Sequence, residues 1–243
     1  MDRLLLASSS PRRRELLSGL GLAFDVLGPE ADESLRDVLP PPERVLALAE
    51  DKARAAEALI RGGDHRWILA ADTLVCLPGA AASGPGSLAE AAAADRAGAA
   101  AFEAFAPDLA APTAGQEGGL LSELVLGKPK DREDARAMIK SLSGRVHLVH
   151  TGLALLDRLE GRLELVRSDS SVRFAPMSAS EIEEYLDSGE WEGVAGAYRV
   201  QGLAARHIER IEGSWSGIVG LPIRELYVIL RRAGFDLRPL KRP

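Results

Sequence analysis

The sequence is poor in the residues that cross-link proteins or hold them in membranes. Cys76 is the only cysteine, so no disulfide can form within the chain, and zinc sites that require two or more cysteines are excluded. No apolar run approaches the roughly 20 residues that span a bilayer. The apolar run Leu4–Ala7 is too short for a secretion signal. We therefore expect a soluble, cytoplasmic protein.

Positive charge is not in excess either. The chain has 30 Lys and Arg residues against 36 Asp and Glu residues, a net charge of -6. No overall basic field would therefore attract nucleic acid or an anionic membrane. The 46% hydrophobic and 27% charged content is ordinary for a globular protein. The length of 243 residues allows one large domain or two small ones.

Short apolar runs and amphipathic segments alternate along the chain, which predicts an α/β fold. At least two pairs of neighbouring strands have the spacing of hairpins, which favours a mixed sheet with flanking helices over a purely parallel one. The longest predicted helix covers residues 43–61. The predicted strands are Leu4–Ala7, Leu22–Leu27, Trp67–Ala71, Leu74–Leu77, Leu124–Leu126, Val146–Leu156, Leu163–Phe174 and Ile208–Ile211.

The first predicted strand leads into a stretch with the features of an anion site. Ser10 is a good N-cap, and Pro11 fits the first position of a helix. Free N–H groups at a helix N-terminus attract anions. The serines Ser8–Ser10 precede this end, and the arginines Arg12–Arg14 follow it. The stretch is either a triphosphate-binding turn or a capped surface helix with a solvated basic turn.

Two charged residues occupy apolar surroundings. Lys52 lies near the middle of the apolar stripe of helix 43–61, where an ammonium needs a partner or a polar cavity. The alternative is a buried stem whose ammonium extends into solvent. Asp72 follows the buried strand Trp67–Ala71, a common place for catalysis in α/β proteins. The alternative is an Asx turn between two strand segments.

Three other features are interpreted structurally or left open. Segment 79–123 is mostly alanine with glycine, serine and proline, and we expect an insertion into a hairpin. His147 and His150 face opposite sides of one predicted strand, so they form no metal pair. The glycine-rich segment 195–202 is either a backbone close to a ligand or an ordinary flexible loop.

Together these segments resemble the Maf family of nucleoside triphosphate pyrophosphatases, over nearly the whole chain except 79–123. The resemblance implies one domain over residues 1–243 with an insertion at about 79–123. It also implies an elongated, twisted mixed sheet with a central cleft, and hydrolysis of nucleoside triphosphates to the monophosphate and pyrophosphate. Members use a divalent metal, usually Mg²⁺ with Mn²⁺ as an alternative, and often form homodimers. The matching motifs are Ala7–Arg13, Ala71–Thr73, Leu126–Pro129, Leu142–Arg145, Ala195–Tyr198 and Gln201–Gly202.

The same resemblance implies roles for particular residues. Asp72 would be the general base, and Glu33 and Asp72 would hold the metal, which takes hard oxygen ligands. Spacing alone does not separate Glu33 from Asp32. The residues expected to neutralise or hydrogen-bond the phosphates are Lys52, Lys128, Arg13, Ser8 and Ser10.

Three positions resemble the subgroup that acts on dTTP and UTP, with CTP and modified pyrimidine nucleotides as further candidates. These are Arg12, Thr73 and Gln201, where the subgroup acting on 7-methyl-GTP has tryptophan, glutamine and glutamate. A glutamine amide offers a donor and an acceptor that complement the imide of uracil or thymine. The alternative is a nucleotide-binding regulator of cell division without catalytic activity. The presence of Asp72, Lys52, Lys128 and Glu33 argues against it, because a pure binding protein needs no base.

Overall fold

The computed structural model describes residues 2–29, 36–60, 65–78 and 124–237. The predicted metal ligand Glu33 and the expected insertion at 79–123 lie outside these residues. Within them, seven strands form one sheet in the order β2-β1-β3-β5-β6-β7, and β4 pairs with β3. The strands are β1 (Leu4–Leu6), β2 (Phe24–Val26), β3 (Trp67–Leu77), β4 (Leu124–Leu126), β5 (Val146–Asp157), β6 (Arg162–Phe174) and β7 (Ile208–Glu212).

The sheet is mixed, as the sequence predicts. β1 runs parallel to both β2 and β3, whereas β3–β4, β3–β5, β5–β6 and β6–β7 are antiparallel. Antiparallel partners can be joined by short turns, and the β5–β6 hairpin reverses between Asp157 and Arg162. The parallel pairs need crossovers, which are helical. The helices are α1 (Pro11–Gly19), α2 (Pro41–Leu59), α3 (Arg132–Leu142), α4 (Ala179–Asp187), α5 (Trp215–Val219) and α6 (Ile223–Ala233).

Helices cover both faces of the sheet, which explains why the strands are apolar on both sides. On one face, Ala49 and Ala53 of α2 pack against Ile68 and Ala70 of β3. The next residues along the strand, such as Leu69, point to the other face and belong to a cluster with side chains of α1 and α6. None of the helices in the described part of the chain is both long and apolar enough to cross a bilayer.

β3 is one continuous strand, so the predicted interruption at Asp72 is wrong. Asp72 pairs with Gly152 and Thr73 pairs with Thr151 in an unbroken register with β5. The carboxylate therefore lies in the middle of the strand, and neither a strand end nor an Asx turn forms there.

On the edge of β3 that faces away from β5, the neighbouring strand changes near Asp72. β1 pairs with residues 67–69 of β3, and β4 pairs with residues 75–77. Between these pairings, β3 has no strand partner on this edge among the described residues. The loop that follows β1 and the start of α1 face this interval, because the Ala7 N–H donates to the Leu69 carbonyl at 2.8 Å. An edge of this kind leaves space for side chains and for a ligand.

Candidate active site

A buried ion pair lies at this interval of the β3 edge. The Lys52 Nζ of α2 is 2.5 Å from Asp72 Oδ1 of β3, and the two side chains are 15% and 8% exposed. The apolar stripe of α2 thus brings Lys52 to the sheet, where it has the partner that its position requires. The alternative in which its ammonium extends into solvent is not what the structure shows.

A glycine in β5 allows α2 to approach the sheet at this point. Gly152 is the register partner of Asp72, and a Cβ built on it would lie 2.3 Å from the Val45 carbonyl oxygen of α2. Lys52 follows Val45 by seven residues, or two helical turns, so both project from the same side of α2. The missing side chain at Gly152 therefore sets the distance between Lys52 and Asp72.

Arg13 connects the loop after β1 to the opposite face of β3. Its Nη1 donates to Ser8 Oγ at 3.1 Å, its Nη2 to Thr73 Oγ1 at 3.1 Å, and its Nε to the Gly220 carbonyl at 2.8 Å. Thr73 Oγ1 also lies 3.0 Å from Thr151 Oγ1, within hydrogen-bond distance. Arg13 thereby fixes the start of α1 beside the strand that carries Asp72.

The N-terminus of α1 keeps donors that an anion can use. Ser10 occupies the N-cap and Pro11 the first helical position, as predicted, but the Ser10 hydroxyl makes no capping hydrogen bond. The Ser10 N–H instead donates to Ser8 Oγ at 3.3 Å. The amides of the first turn have no partner within a helix, so they point outward beside Arg12 and Arg13.

Lys128 lies close to segment 195–202. It is exposed and follows β4, and the preceding Gly127 carbonyl accepts a hydrogen bond of 3.0 Å from the Gly196 N–H. A Cβ on Gly196 would lie 2.9 Å from Cγ1 of Val75 in β3. Close packing within the protein therefore explains this glycine, without the nearby ligand that the sequence suggests as one alternative.

The other two residues expected to set the substrate specificity, Gln201 and Arg12, differ in how far they are exposed to solvent. Gln201 is exposed in the turn after Val200, and Arg12 is half-buried in the first turn of α1. Burial lowers the pKa of the Arg12 guanidinium, and the positive charge of Arg199 lowers it further. The charge of Arg199, the residue after Tyr198, thus acts on Arg12.

Sequence reasoning misses the residues that support the site from behind. Thr151 bridges Thr73 and the Gly217 carbonyl, to which it donates at 2.9 Å. Gly152 admits α2, and Gly220 accepts from Arg13. Thr151 and Gly152 are a polar and a small residue inside a largely apolar strand, which is the one signal that could have drawn attention to them.

The described residues include only one of the two expected magnesium ligands, Asp72. Among them, no group of three or more His, Cys, Asp or Glu side chains is arranged to hold a metal. Mg²⁺ usually takes one or two carboxylates and completes its shell with waters and substrate phosphates. Asp72 offers one such carboxylate, whose Oδ1 is in contact with Lys52. Glu33 as the second ligand stays a prediction.

A cavity of about 240 Å³ lies at the start of β3 beside Trp67 and Glu164. It shares no residue with the ion pair or with the Arg13 cluster. We therefore assign the chemistry to the interval of the β3 edge and not to this cavity.

Comparison with known proteins gives a consistent result. A family model described as Maf-like protein matches residues 3–233. A dTTP/UTP pyrophosphatase of Treponema denticola is 38% identical over 239 residues, covering 98% of this chain and 100% of the relative. Enzymes of the same name from an Anaeromyxobacter species and from Pelotomaculum thermopropionicum are 38% and 33% identical, covering 97% and 98% of this chain and 91% and 100% of their own lengths.

Proposed function

The chain belongs to the Maf family, and on this premise we propose that it hydrolyses dTTP and UTP to the monophosphate and pyrophosphate, with CTP and modified pyrimidine nucleotides as further substrates. Relatives of this chain that carry the name dTTP/UTP pyrophosphatase match it over nearly its full length. The observation that carries the proposal is the ion pair of Lys52 and Asp72, which lies where the edge of β3 between β1 and β4 has no neighbouring strand among the described residues.

In the proposed reaction, Asp72 takes a proton from the attacking water. The water oxygen forms a bond to the α-phosphorus, and the bond between that phosphorus and the α–β bridging oxygen breaks. The electron pair leaves on pyrophosphate. Lys52 holds the carboxylate through Oδ1, so Oδ2 is the oxygen that would take the proton. Fixing the base in this way lowers the entropic part of the barrier.

The phosphates would be bound by donors around the start of α1. These donors would be the amides of the first turn and the side chains of Ser8, Ser10 and Arg13, and Lys128 after β4 would add a further positive charge. Arg13 acts mainly by positioning Ser8 and Thr73, since three of its donors are already engaged. Magnesium, held by Asp72 and the predicted ligand Glu33, would neutralise charge on the phosphate oxygens.

The proposal is tested by measuring pyrophosphate release from UTP, dTTP, CTP, GTP and ATP, with and without Mg²⁺ or Mn²⁺. We expect turnover of UTP and dTTP that is abolished by chelation, and much weaker turnover of the purine nucleotides. Binding of UTP without release of pyrophosphate in the presence of either metal would instead support the non-catalytic regulator.

A further inference from the structure

The short helix α5 is fastened to the sheet and to α6 by side-chain hydroxyls. Ser214 is its N-cap, and Ser214 Oγ accepts from the Gly217 N–H at 3.0 Å. Ser170 of β6 is buried, and its Oγ accepts from the Ser214 N–H at 2.9 Å and donates to the Ser214 carbonyl at 3.3 Å. Ser216 Oγ accepts from the Ile223 N–H at 3.0 Å. A helix of five residues is not stable by itself, so these bonds fix its position.

Two carbonyls at the C-terminal end of α5 hold side chains of the candidate active site. The Gly217 carbonyl accepts from Thr151 Oγ1 at 2.9 Å, and the Gly220 carbonyl accepts from Arg13 Nε at 2.8 Å. Carbonyls at the end of a helix lack partners in a following turn, so they can accept from side chains. Thr73 Oγ1 lies 3.0 Å from Thr151 Oγ1 and 3.1 Å from Arg13 Nη2. These contacts close a ring that leaves α5 at Thr151 and returns to it at Arg13.

The orientation of Arg13 decides what the Ser8 hydroxyl can do. Ser8 is 6% exposed, and its Oγ accepts from Arg13 Nη1 at 3.1 Å and from the Ser10 N–H at 3.3 Å. A hydroxyl oxygen has two lone pairs and one hydrogen. Both lone pairs are engaged by groups that can only donate, and the hydrogen has no acceptor within the described ranges. Ser8 is thus left as a hydrogen-bond donor at the N-terminus of α1, where an anionic oxygen can accept from it.

Thr151 is fully buried, and it lies on the opposite face of the sheet from α2 and the ion pair. Gly152 faces α2, because a Cβ at that position would meet the Val45 carbonyl. Successive side chains of a strand point to opposite faces, so Thr151 faces α5. A change at Thr151 can therefore reach Arg13 and Ser8 without contacting the ion pair.

We propose that α5 and Thr151 position the phosphate-binding donors of the site, and that Thr151 and Ser170 are positioning residues for the reaction. The inference rests on the proposed function, because it requires the substrate phosphates to bind at the start of α1. Thr151 acts on Arg13 through Thr73, and Ser170 acts by fixing α5. Arg13 in turn orients the Ser8 hydroxyl. Donors that are already oriented bind an anion without the loss of entropy that ordering them would require.

The test measures kcat and KM for UTP, and calorimetric binding of inorganic pyrophosphate with Mg²⁺, in the wild type and in three variants. Thr151→Val removes the hydroxyl at nearly constant volume, and we expect it to raise KM and weaken pyrophosphate binding by roughly 10-fold. The change in kcat should be smaller and its pH dependence unchanged, because the ion pair is not contacted. Thr151→Ser keeps the hydroxyl and should recover most of the loss. Ser170→Ala should change KM in the same direction as Thr151→Val.

Ser141→Ala is the matched control for loss of a hydroxyl-to-carbonyl hydrogen bond. Ser141 Oγ of α3 donates to the Met138 carbonyl at 2.6 Å, and KM should not change when this bond is removed. Melting temperatures show whether each variant is folded. A folded Thr151→Val protein with unchanged KM and pyrophosphate affinity would overturn the inference, because Thr151 would then be structural only. If Thr151→Val does not fold, an unchanged KM in folded Ser170→Ala would overturn it instead.

The pyrophosphate measurement separates this inference from the proposed function. Pyrophosphate binding that depends on Thr151, in a wild type that does not hydrolyse UTP, would keep the inference and reject the proposed function. UTP hydrolysis in which neither KM nor pyrophosphate affinity responds to Thr151→Val or Ser170→Ala would do the reverse.

Discussion

Asp72 and Lys52 depend on each other, because each is a charged group in a largely buried position. Lys52→Met would leave the Asp72 carboxylate without its 2.5 Å partner. Removing one member of such a pair typically costs about 3 kcal/mol. We expect Lys52→Met to lower the free energy of unfolding by about this amount, measured by urea denaturation, and to lose most activity.

The double variant Lys52→Met/Asp72→Asn is the control for this prediction. Neutralising the carboxylate should restore much of the stability, because no unpaired charge remains, but it should not restore turnover. Equal instability of the single and double variants would show that the two residues are not energetically coupled.

His147 makes the stability depend on pH. It is fully buried, and burial lowers its pKa to about 3 in the folded protein. An unfolded histidine has a pKa of about 6.5, so below this pH the unfolded chain takes up a proton that the folded protein does not. Its contribution is thus fully present above pH 6.5 and is lost as the pH falls toward 3.

We therefore expect thermal stability to fall more steeply between pH 6.5 and 5 in the wild type than in His147→Gln, which keeps a polar group for the Tyr198 hydroxyl. The difference approaches about 1.4 kcal/mol per pH unit at the acid end of this window. Parallel pH profiles of the two proteins would show that His147 accepts a proton as readily in the folded state as in the unfolded one.

At the scale of residues, the sequence shows which side chains are unusual for their position, but it does not show which side chains surround them in the fold. Lys52 stands out because a charge interrupts an apolar stripe, and Asp72 because a charge follows a run of apolar strand residues. Thr151 stands out only as a polar residue in a largely apolar strand, and its importance comes from facing Thr73 across the β3–β5 register. Such a pairing depends on long-range contacts that no local pattern encodes.

At the scale of elements, the packing of α2 on β5 controls the site. A Cβ at Gly152 would meet the backbone of Val45 at 2.3 Å, so Gly152→Ala must displace α2. Overpacking of this kind costs about 1–3 kcal/mol. We expect a lower melting temperature and, because Lys52 moves with α2, a lower kcat for UTP.

Gly19→Ala is the matched control, because no atom lies within 4 Å of a Cβ added in α1 at that position. Gly19→Ala should leave the melting temperature and the kcat for UTP close to those of the wild type. A Gly152→Ala protein with normal kcat would indicate that the distance between α2 and the sheet does not set the site geometry.

The elements themselves were largely predictable, and the exceptions have physical reasons. β3 continues through Asp72 because Leu74 and the residues after it keep pairing with β5, which outweighs the local preference of Asp-Thr for a turn. α2 begins at Pro41, earlier than predicted, since proline fits a first turn. α5 was missed because five residues are too few for a periodic pattern.

At the scale of the whole molecule, we propose one domain in which segment 79–123 is inserted into the β3–β4 hairpin. Leu77 and Leu124, at the ends of these strands, are paired across the antiparallel ladder. A short Gly-containing turn can therefore join them. The cost of closing a loop grows only slowly with its length, so removing the segment should not destabilise the sheet.

We expect the deletion protein to keep its melting temperature and its kcat/KM for UTP. An unchanged melting temperature with a raised KM would show that the segment contributes to substrate binding. An insoluble or unfolded deletion protein would contradict the single-domain interpretation, because the segment would then belong to the core or to a subunit interface.

The central claim is that Asp72 directs water to the α-phosphorus of a nucleoside triphosphate. Hydrolysis of UTP in ¹⁸O-labelled water with Mg²⁺, followed by ³¹P NMR of the products, tests it most directly in the wild type and in Asp72→Asn. The account predicts ¹⁸O in UMP, unlabelled pyrophosphate, and a rate at least about 100-fold lower in a folded Asp72→Asn protein that still binds UTP. Formation of UDP and phosphate, or normal turnover by Asp72→Asn, would contradict it.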